Sequence, residues 1–492
     1  MAHRAHRLVG VAAVATVLGP APLAPLEAFD RGPALGGASP LMLSEVLASL
    51  EGRHPALVAA DARVRAAEGQ EQAAHGAFDL QVQANGWAAP AGYYRYGRSD
   101  FILSQATPLQ GASLTAGWRL GQAFQGSAIP GYYGHLETLD AGEFRAGVSL
   151  PLLRDGPVDA RRAGIERTAR VAAAARAEAA VPRLRVRLAA SEAWIRWTAA
   201  AGRLQVARDL LALAEDRDAQ IGARVGAGAL PALEHLENRR AVLERRQGVV
   251  TALRALERSA LALGFHWRDQ AGVPQVPTPD RAPADWSRLS GHATTRMTQE
   301  EALQQAMARR PELVRWQALQ EAGLVQLRLA ENQVAPRVDV SAMGAVDAGL
   351  PQANGQPVRI LGEPALELGV TFQVPLGQRE ARGRAEAARA DLGVLDAEFR
   401  QTRDQIRLEV QDALSALRRA TEARAQAREA AAVAERVAEG ERQRFAQGLG
   451  TLLLVNLREM AAAQARQSVV DAEAELAVAE AQLLAATGQG AP

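Results

Sequence analysis

The side chains best equipped for chemistry in this chain are its histidines and carboxylates, and their spacing assembles no site. Eight His are scattered over 492 residues, and His235 stands beside an acid, Glu234. A zinc helix needs a second His four residues away so that both imidazoles share one face, and here position 239 is Arg239. His235 therefore reads as an ordinary tip or surface residue. Gly448-Leu449-Gly450 offers two of the glycines of a dinucleotide loop but lacks the third and the preceding strand, so a helix-capping turn is the better reading. The chain has no Cys, which removes thiol nucleophiles, disulfides, thiolate metal sites and lipid attachment to an N-terminal Cys. All 56 basic residues are Arg, which removes a phosphate-loop lysine, a Schiff base and a Ser-Lys dyad. Codon bias is the simplest account of the missing Lys. The formal charge is +1, and Arg-rich stretches such as the one carrying Arg418-Arg419 are interleaved with Glu and Asp. They read as solvated helix faces, not as a nucleic-acid surface. The expected inventory is no catalytic residue, no metal ligand and no cofactor.

What the sequence specifies strongly is a set of long elements. From Gln378 an arm rich in Ala, Arg, Glu and Gln runs to a reversal at Gly448-Leu449-Gly450 and returns over Thr451 to Thr487. At about 1.5 Å per residue an outgoing helix of roughly seventy residues reaches about 100 Å, far more than an ordinary domain core needs. The return arm repeats Val469, Leu476 and Leu483 at seven-residue spacing, each followed three positions later by Ala472, Ala479 and Ala486. Alanine at one of two seam positions lets neighbouring helices approach closely. The same pattern stands 220 positions earlier, from Val249 for Val469 through Ala252, Leu256 and Ser259 to Leu263 for Leu483. Arg224 and Gly228 likewise match Arg444 and Gly448, and Arg246-Gln247 matches Arg466-Gln467. The chain is a tandem duplication.

The N-terminus carries Arg4, His6 and Arg7, an apolar run from Leu8 to Leu18, and Pro- and Ala-rich sequence to Ala28. These are the parts of a secretory signal over residues 1–28, cut between Ala24 and Ala28, and the run is too short to span a bilayer. Two short amphipathic helices, Leu43 to Leu57 and Thr298 to Leu313, each stop at a basic-Pro-apolar sequence and open the repeats, 29–272 and 298–492. A linker with Pro274, Pro277, Pro279 and Pro283 fills 273–297. Alternating segments lie at about 79–150 and about 336–375. Leu80, Val82 and Ala84 oppose Gln81, Gln83 and Asn85; Phe144, Ala146, Val148 and Leu150 oppose Glu143, Arg145 and Ser149; Leu366, Leu368, Val370 and Phe372 oppose Glu367, Thr371 and Gln373. Period two with one polar face means strands between two environments, either the faces of a soluble sandwich or the lipid and lumen of a membrane barrel. No other apolar run approaches twenty residues, so any membrane-embedded part must be β. The first repeat is longer, with 96 positions from Pro55 to Pro151 against 64 from Pro311 to Pro375. The surplus holds all five Tyr (Tyr93, Tyr94, Tyr96, Tyr132, Tyr133) and a candidate hairpin of Phe101 to Thr107 with Ser113 to Gly121. It suits an interfacial girdle, an external loop, or a loop packed on its own aromatics. Helical hairpins are expected at about 158–264 and about 378–487, with a kink at Pro182.

Two repeats of short helix, strand pair and long helical hairpin resemble the TolC-type outer-membrane efflux proteins. So do the strand ends Val148-Ser-Leu-Pro-Leu152 and Phe372-Gln-Val-Pro-Leu376 and the tip Arg444-Phe-Ala-Gln-Gly448 followed by Leu453-Leu-Val. The resemblance covers nearly the whole mature chain and lies more in the duplicated order of elements than in any short motif. It implies a mainly α protein with a β-barrel part: a homotrimer whose protomers each give four strands to a twelve-stranded outer-membrane barrel, continued by a periplasmic α-helical barrel. It further implies a periplasmic adaptor and an inner-membrane pump or exporter as partners, outer-membrane lipid around the strands, and a passive exit duct as the function. Gly228, Ala229, Leu230, Gly448, Leu449 and Gly450 are then the adaptor-docking tips. Members of that family often carry acids just after the second tip glycine. Here the matching positions are Leu454 and Leu457, so the candidate gate residues are Glu234, Phe445, Leu454 and Leu457. The rival reading is a periplasmic adaptor-like coiled-coil protein, which also uses a helical hairpin but normally one, set between halves of a β domain. A secreted enzyme or a structural coiled coil is a third class, disfavoured by the alternating strands and the absence of convergent polar groups.

Overall fold

A computed structural model of the chain describes residues 39–92, 95–124, 137–283, 297–350 and 363–489. The signal segment 1–28, Tyr93, Tyr94, Tyr132, Tyr133 and residues 284–296 of the linker lie outside them. Each half opens with two helices, α1 (Leu43–Leu50) and α2 (Pro55–His75), then α5 (Gln299–Arg309) and α6 (Pro311–Asn332). Proline begins α2 and α6, where its missing N–H costs no hydrogen bond. Thr298 and Glu301 close a reciprocal cap on α5, the Thr298 N–H donating to Glu301 Oε2 at 2.9 Å.

The strands are β1 (Gln81–Ala89), β2 (Tyr96–Ala106), β3 (Ser113–Ala123), β4 (Gly142–Pro151), β5 (Arg337–Ala348) and β6 (Ala365–Gln373). They form one antiparallel sheet in sequence order. The hairpin expected from Phe101 to Thr107 and Ser113 to Gly121 is present as β2 and β3, paired over eleven positions from Tyr96↔Ala123 to Ala106↔Ser113. The protomer therefore has six strands where the resemblance implies four. The physical reason is local: β2 and β3 have their own period-two pattern and take their place in the sheet between β1 and β4.

Directly opposed residues share a face, so the register sorts side chains without ambiguity. Val82 and Ala84 face Leu103 and Phe101, which continue through Ala116 and Trp118 to Ala146 and Phe144. Phe144 then opposes Val346, and on the last strand Val340 opposes Val370 and Ala342 opposes Leu368. One face is thus apolar across every strand, yet it stays open: Leu366, Leu368 and Val370 are 73%, 74% and 74% exposed. The other face carries Gln83, Asn85, Asp100, Arg119, Glu143, Ser341, Glu367 and Thr371. A soluble sandwich would bury the first face, and nothing among the described residues does.

The rods follow. α3 (Ala160–Gly226) has 67 residues and α7 (Arg379–Ala446) has 68; each returns as α4 (Ala232–Gly264) or α8 (Leu452–Ala486). Asp159 caps α3, accepting from the N–H groups of Arg161 at 2.8 Å and Arg162 at 3.0 Å. Burial pushes its carboxyl up, but the Arg162 N–H and guanidinium and the Arg161 N–H outweigh it and hold it below the usual range. α3 stays helical through Pro182. α8 is buried on two sides. Val470, Ala474 and Ala477 join Trp194, Trp197, Leu204, Leu256 and Leu263, while Leu476, Ala479 and Leu483 join Ile406, Val410 and Leu417 of α7. The predicted seam of Val469, Ala472, Leu476, Ala479, Leu483 and Ala486 is buried throughout.

Candidate functional site

The rods end in two matching turns. At each, the helix closes on a glycine with positive φ, +73° at Gly228 and +75° at Gly448. The hydrogen bonds are those of a Schellman turn: Ala229 N donates to Arg224 O at 2.9 Å and Leu449 N to Arg444 O at 2.8 Å, with Gly228 N to Val225 O and Gly448 N to Phe445 O, both 3.0 Å. A Cβ on either glycine would meet nothing within 4 Å, so backbone conformation, not space, demands Gly there. Gly450 differs, because its Cβ would lie 2.9 Å from Glu441 Oε1 and 3.1 Å from Phe445 N. Ala229 and Leu449 are exposed, whereas Leu230 and Gly450 are half-buried. Thr451 starts the return arm of the second hairpin, its Oγ1 accepting from Leu454 N at 3.4 Å.

Of the candidate gate residues, Glu234 and Phe445 are half-buried. Leu454 and Leu457 are 37% and 54% exposed, and Leu457 lines a groove of about 530 Å³ between α3, α4 and α8 with Leu453, Met460 and Arg245. His235 faces Asp218 of α3 at 3.6 Å, and no group of three or more metal-ligating side chains occurs among the described residues.

The strongest polar constellation is one the sequence reasoning missed. About 12 Å along α8 from Thr451, Glu459 is buried at 2% exposure. It accepts from Arg217 of α3, and from Arg245 of α4 at 3.1 Å, while Arg442 of α7 approaches at 3.7 Å. Asn456 Oδ1 accepts from both Arg217 at 2.9 Å and Arg245 at 3.1 Å. One carboxylate thus joins all four long helices just behind the tips. Burial lowers the Arg245 guanidinium below its ordinary value, the Glu459 charge opposing that shift. A second buried acid of α8, Glu473, pairs with Arg428 and, at 3.8 Å, with Arg424 of α7. The available signal was heptad spacing: Glu473 and Glu480 are one heptad apart inside an alanine-rich seam, and Glu459 lies two heptads before Glu473.

Residues 302–489 match the family described as outer membrane efflux protein. No curated protein matches the chain. Among solved structures, the chain is similar to the outer membrane protein VceC of Vibrio cholerae, at 16% identity and a TM-score of 0.62 over 92% of this chain and 97% of that one. It is similar to the MtrE outer membrane channel of Neisseria gonorrhoeae, open state, at 14% identity and TM-score 0.62 over 91% and 89%. The CmeC outer membrane channel of Campylobacter jejuni gives 12% identity and TM-score 0.60 over 91% and 86%. The fold is therefore that of the TolC-type channels, as the duplicated order of elements implied, and the family match falls on the second repeat.

Proposed function

We propose that this chain is the exit duct of an export system in a Gram-negative outer membrane, extending into the periplasm and conducting cargo passively to the exterior. Three copies close a barrel with their sheets and a helical tunnel with their rods. An inner-membrane pump or exporter and a periplasmic adaptor supply the cargo, and the adaptor docks at the tips around Gly228, Ala229, Leu230, Gly448, Leu449 and Gly450. Phe445, Leu454 and Leu457, with Glu234 of the other hairpin, line the narrowing at that end, an apolar constriction where relatives often use acids. The chain carries out no chemistry of its own. The observation that carries this reading is the joining, in one chain, of a sheet with an exposed apolar face on every strand to two rods of about 100 Å. An apolar face of that extent needs a covering, and a bilayer supplies it where no second layer of protein does. No helix among the described residues is long and apolar enough to cross a membrane.

The experiment is fractionation followed by tip substitution. Outer-membrane trimers stable in detergent support the duct, and a monomer in the periplasmic extract sinks it in favour of an adaptor. Ala229→Glu and Leu449→Glu leave the capping glycines intact, so they separate folding from docking. The expected result is normal trimers that neither export nor crosslink to the adaptor, and normal export would refute docking at the tips.

A further inference from the structure

We propose that the β2–β3 hairpin is part of the barrel wall, so that three copies of a six-stranded protomer close an eighteen-stranded pore with a wide charged bore. The inference rests on the trimeric-duct reading. It departs from the twelve-stranded barrel that the family resemblance implies.

The pairing is the first support. β1 pairs with β2 over nine positions, from Gln81↔Ser104 to Ala89↔Tyr96, and β3 pairs with β4 over seven, from Ser113↔Ser149 to Arg119↔Glu143. β1 and β4 would be neighbours in a four-strand protomer, and here two strands separate them. The second support is length. β2 and β3 have 11 residues each, matching the roughly 9 to 11 that a tilted strand needs to cross the hydrocarbon layer.

The faces continue through the hairpin on both sides. Phe101, Leu103, Ala116 and Trp118 extend the apolar face between Val82 on one flank and Phe144 on the other. The polar face carries a chain of ions across three strands. Arg98 pairs with Asp100 at 2.8 Å; Asp100 stands opposite Arg119; Arg119 reaches Glu143 at 2.5 Å, and Arg145 lies 3.7 Å from the same carboxylate. Asp100 is 6% exposed, so this chain is an integral part of the sheet and not a loop surface. An external projection would have no reason to match both faces of the wall.

The turn between β2 and β3 is pinned at the end of the sheet nearest the rods. A Cβ on Gly111, at φ +71°, would lie 2.5 Å from Asp155 O and 3.1 Å from Pro151 Cγ, so the turn seats closely against the segment joining β4 to α3. Gln105 Nε2 donates to Phe78 O at 2.5 Å from the same end. Finally, the two edges suit each other. β1 and β6 each have nine residues and run in opposite senses, so β6 of one copy meets β1 of the next antiparallel, and an even count keeps the alternation unbroken around the ring. Barrel diameter grows roughly linearly with strand number, which makes the bore about 1.5-fold wider than twelve strands allow, in the size range where barrels hold an aqueous channel.

The native chain has no Cys, so introduced pairs report without background. In full-length trimers extracted from outer membranes, Gln83→Cys with Ile102→Cys and Ser113→Cys with Ser149→Cys are oxidised, denatured and probed with maleimide-polyethylene glycol. Both pairs are expected to be protected, whereas Gln83→Cys with Arg145→Cys or with Ser149→Cys stays reactive. Leu103→Arg, on the outer face of the hairpin, should deplete trimers as Leu368→Arg does. Electron cryomicroscopy of the wild-type trimer down its axis then counts eighteen strands. Trimers in which Gln83→Cys links to β4, in which Leu103→Arg is harmless, or in which twelve strands are counted with the hairpin outside the wall overturn the inference while leaving the duct intact. Failure to find outer-membrane trimers at all overturns the duct reading, and this inference with it.

Discussion

Replacing Glu459 by Gln tests the node behind the tips, because it removes one charge while keeping the side chain's size and one acceptor. Arg217 and Arg245 have side chains 9% and 5% exposed, so neither can recover its hydration without the helices moving apart. Removing one partner of a buried ion pair typically costs about 3 to 5 kcal/mol. Two features bear on where this case falls. Asn456 keeps accepting from both arginines, which retains part of the network. Arg442 is 28% exposed and can turn to water. About 3 kcal/mol per protomer is the resulting expectation, near the lower end of that range. The loss should concentrate at the tip end, since Leu476 and Leu483 and the clusters around them are untouched. The assay is limited proteolysis of purified trimers beside thermal unfolding. Glu459→Gln should be cut at the α3–α4 and α7–α8 turns at least ten times faster than wild type, with a smaller shift in melting. Replacing Glu459 by Leu together with Arg217 and Arg245 by Met should restore much of the resistance, because apolar groups of similar volume often substitute for a buried ionic cluster without loss. If Glu459→Gln is cut and melts like wild type, the carboxylate does not hold the four helices and the reasoning fails.

Leu368→Arg should cost assembly about 2 to 4 kcal/mol per copy, while Thr371→Arg, on the opposite face of β6, should be tolerated. Equal trimer yields from outer membranes would argue against a lipid-facing apolar surface. Ala479→Leu inserts bulk where Ala479 is 4% exposed between α7 and α8 and should cost about 1 to 3 kcal/mol, read as a lower trimer melting temperature. His266 is held down to about 4 by burial, with His54 and Arg268 adding to the effect. Below its ordinary 6.5 the unfolded chain therefore binds the proton that the folded one refuses. Its contribution to stability is complete above about pH 6.5 and declines as pH falls toward 4. Melting curves at pH 7 and pH 4.5 should differ less in His266→Phe than in wild type, and an unchanged difference would remove His266 as the cause.

How much of this could be read from the sequence depended on whether the signal was periodic. The rods and their turns were, because glycine at positive φ and a bulky-small heptad each leave a mark in the order of residues. The strand faces were legible for the same reason, since period two names the face of every side chain once one is assigned. Partner identity was not. Phe101 to Thr107 and Ser113 to Gly121 declared themselves strands that could pair with each other, yet nothing in their pattern said whether they enter the wall between β1 and β4 or stand outside it. The register, with Gln83 opposite Ile102 and Ser113 opposite Ser149, places them in the sheet of the protomer. The Glu459 node was hidden for a related reason. In a chain with 56 arginines almost any glutamate has a basic residue within one helical turn, and so local charge pairing carries no information about burial. What sets Glu459 apart is that its partners Arg217 and Arg245 come from the other hairpin, more than two hundred residues away, and that α8 is enclosed on two sides where it meets them. The duplication explains why such a contact exists at all. Two copies of one hairpin, packed side by side, bring each seam against a surface that resembles its own, and at Glu459 that surface supplies Arg217 and Arg245 as counter-ions, so the buried charge is compensated.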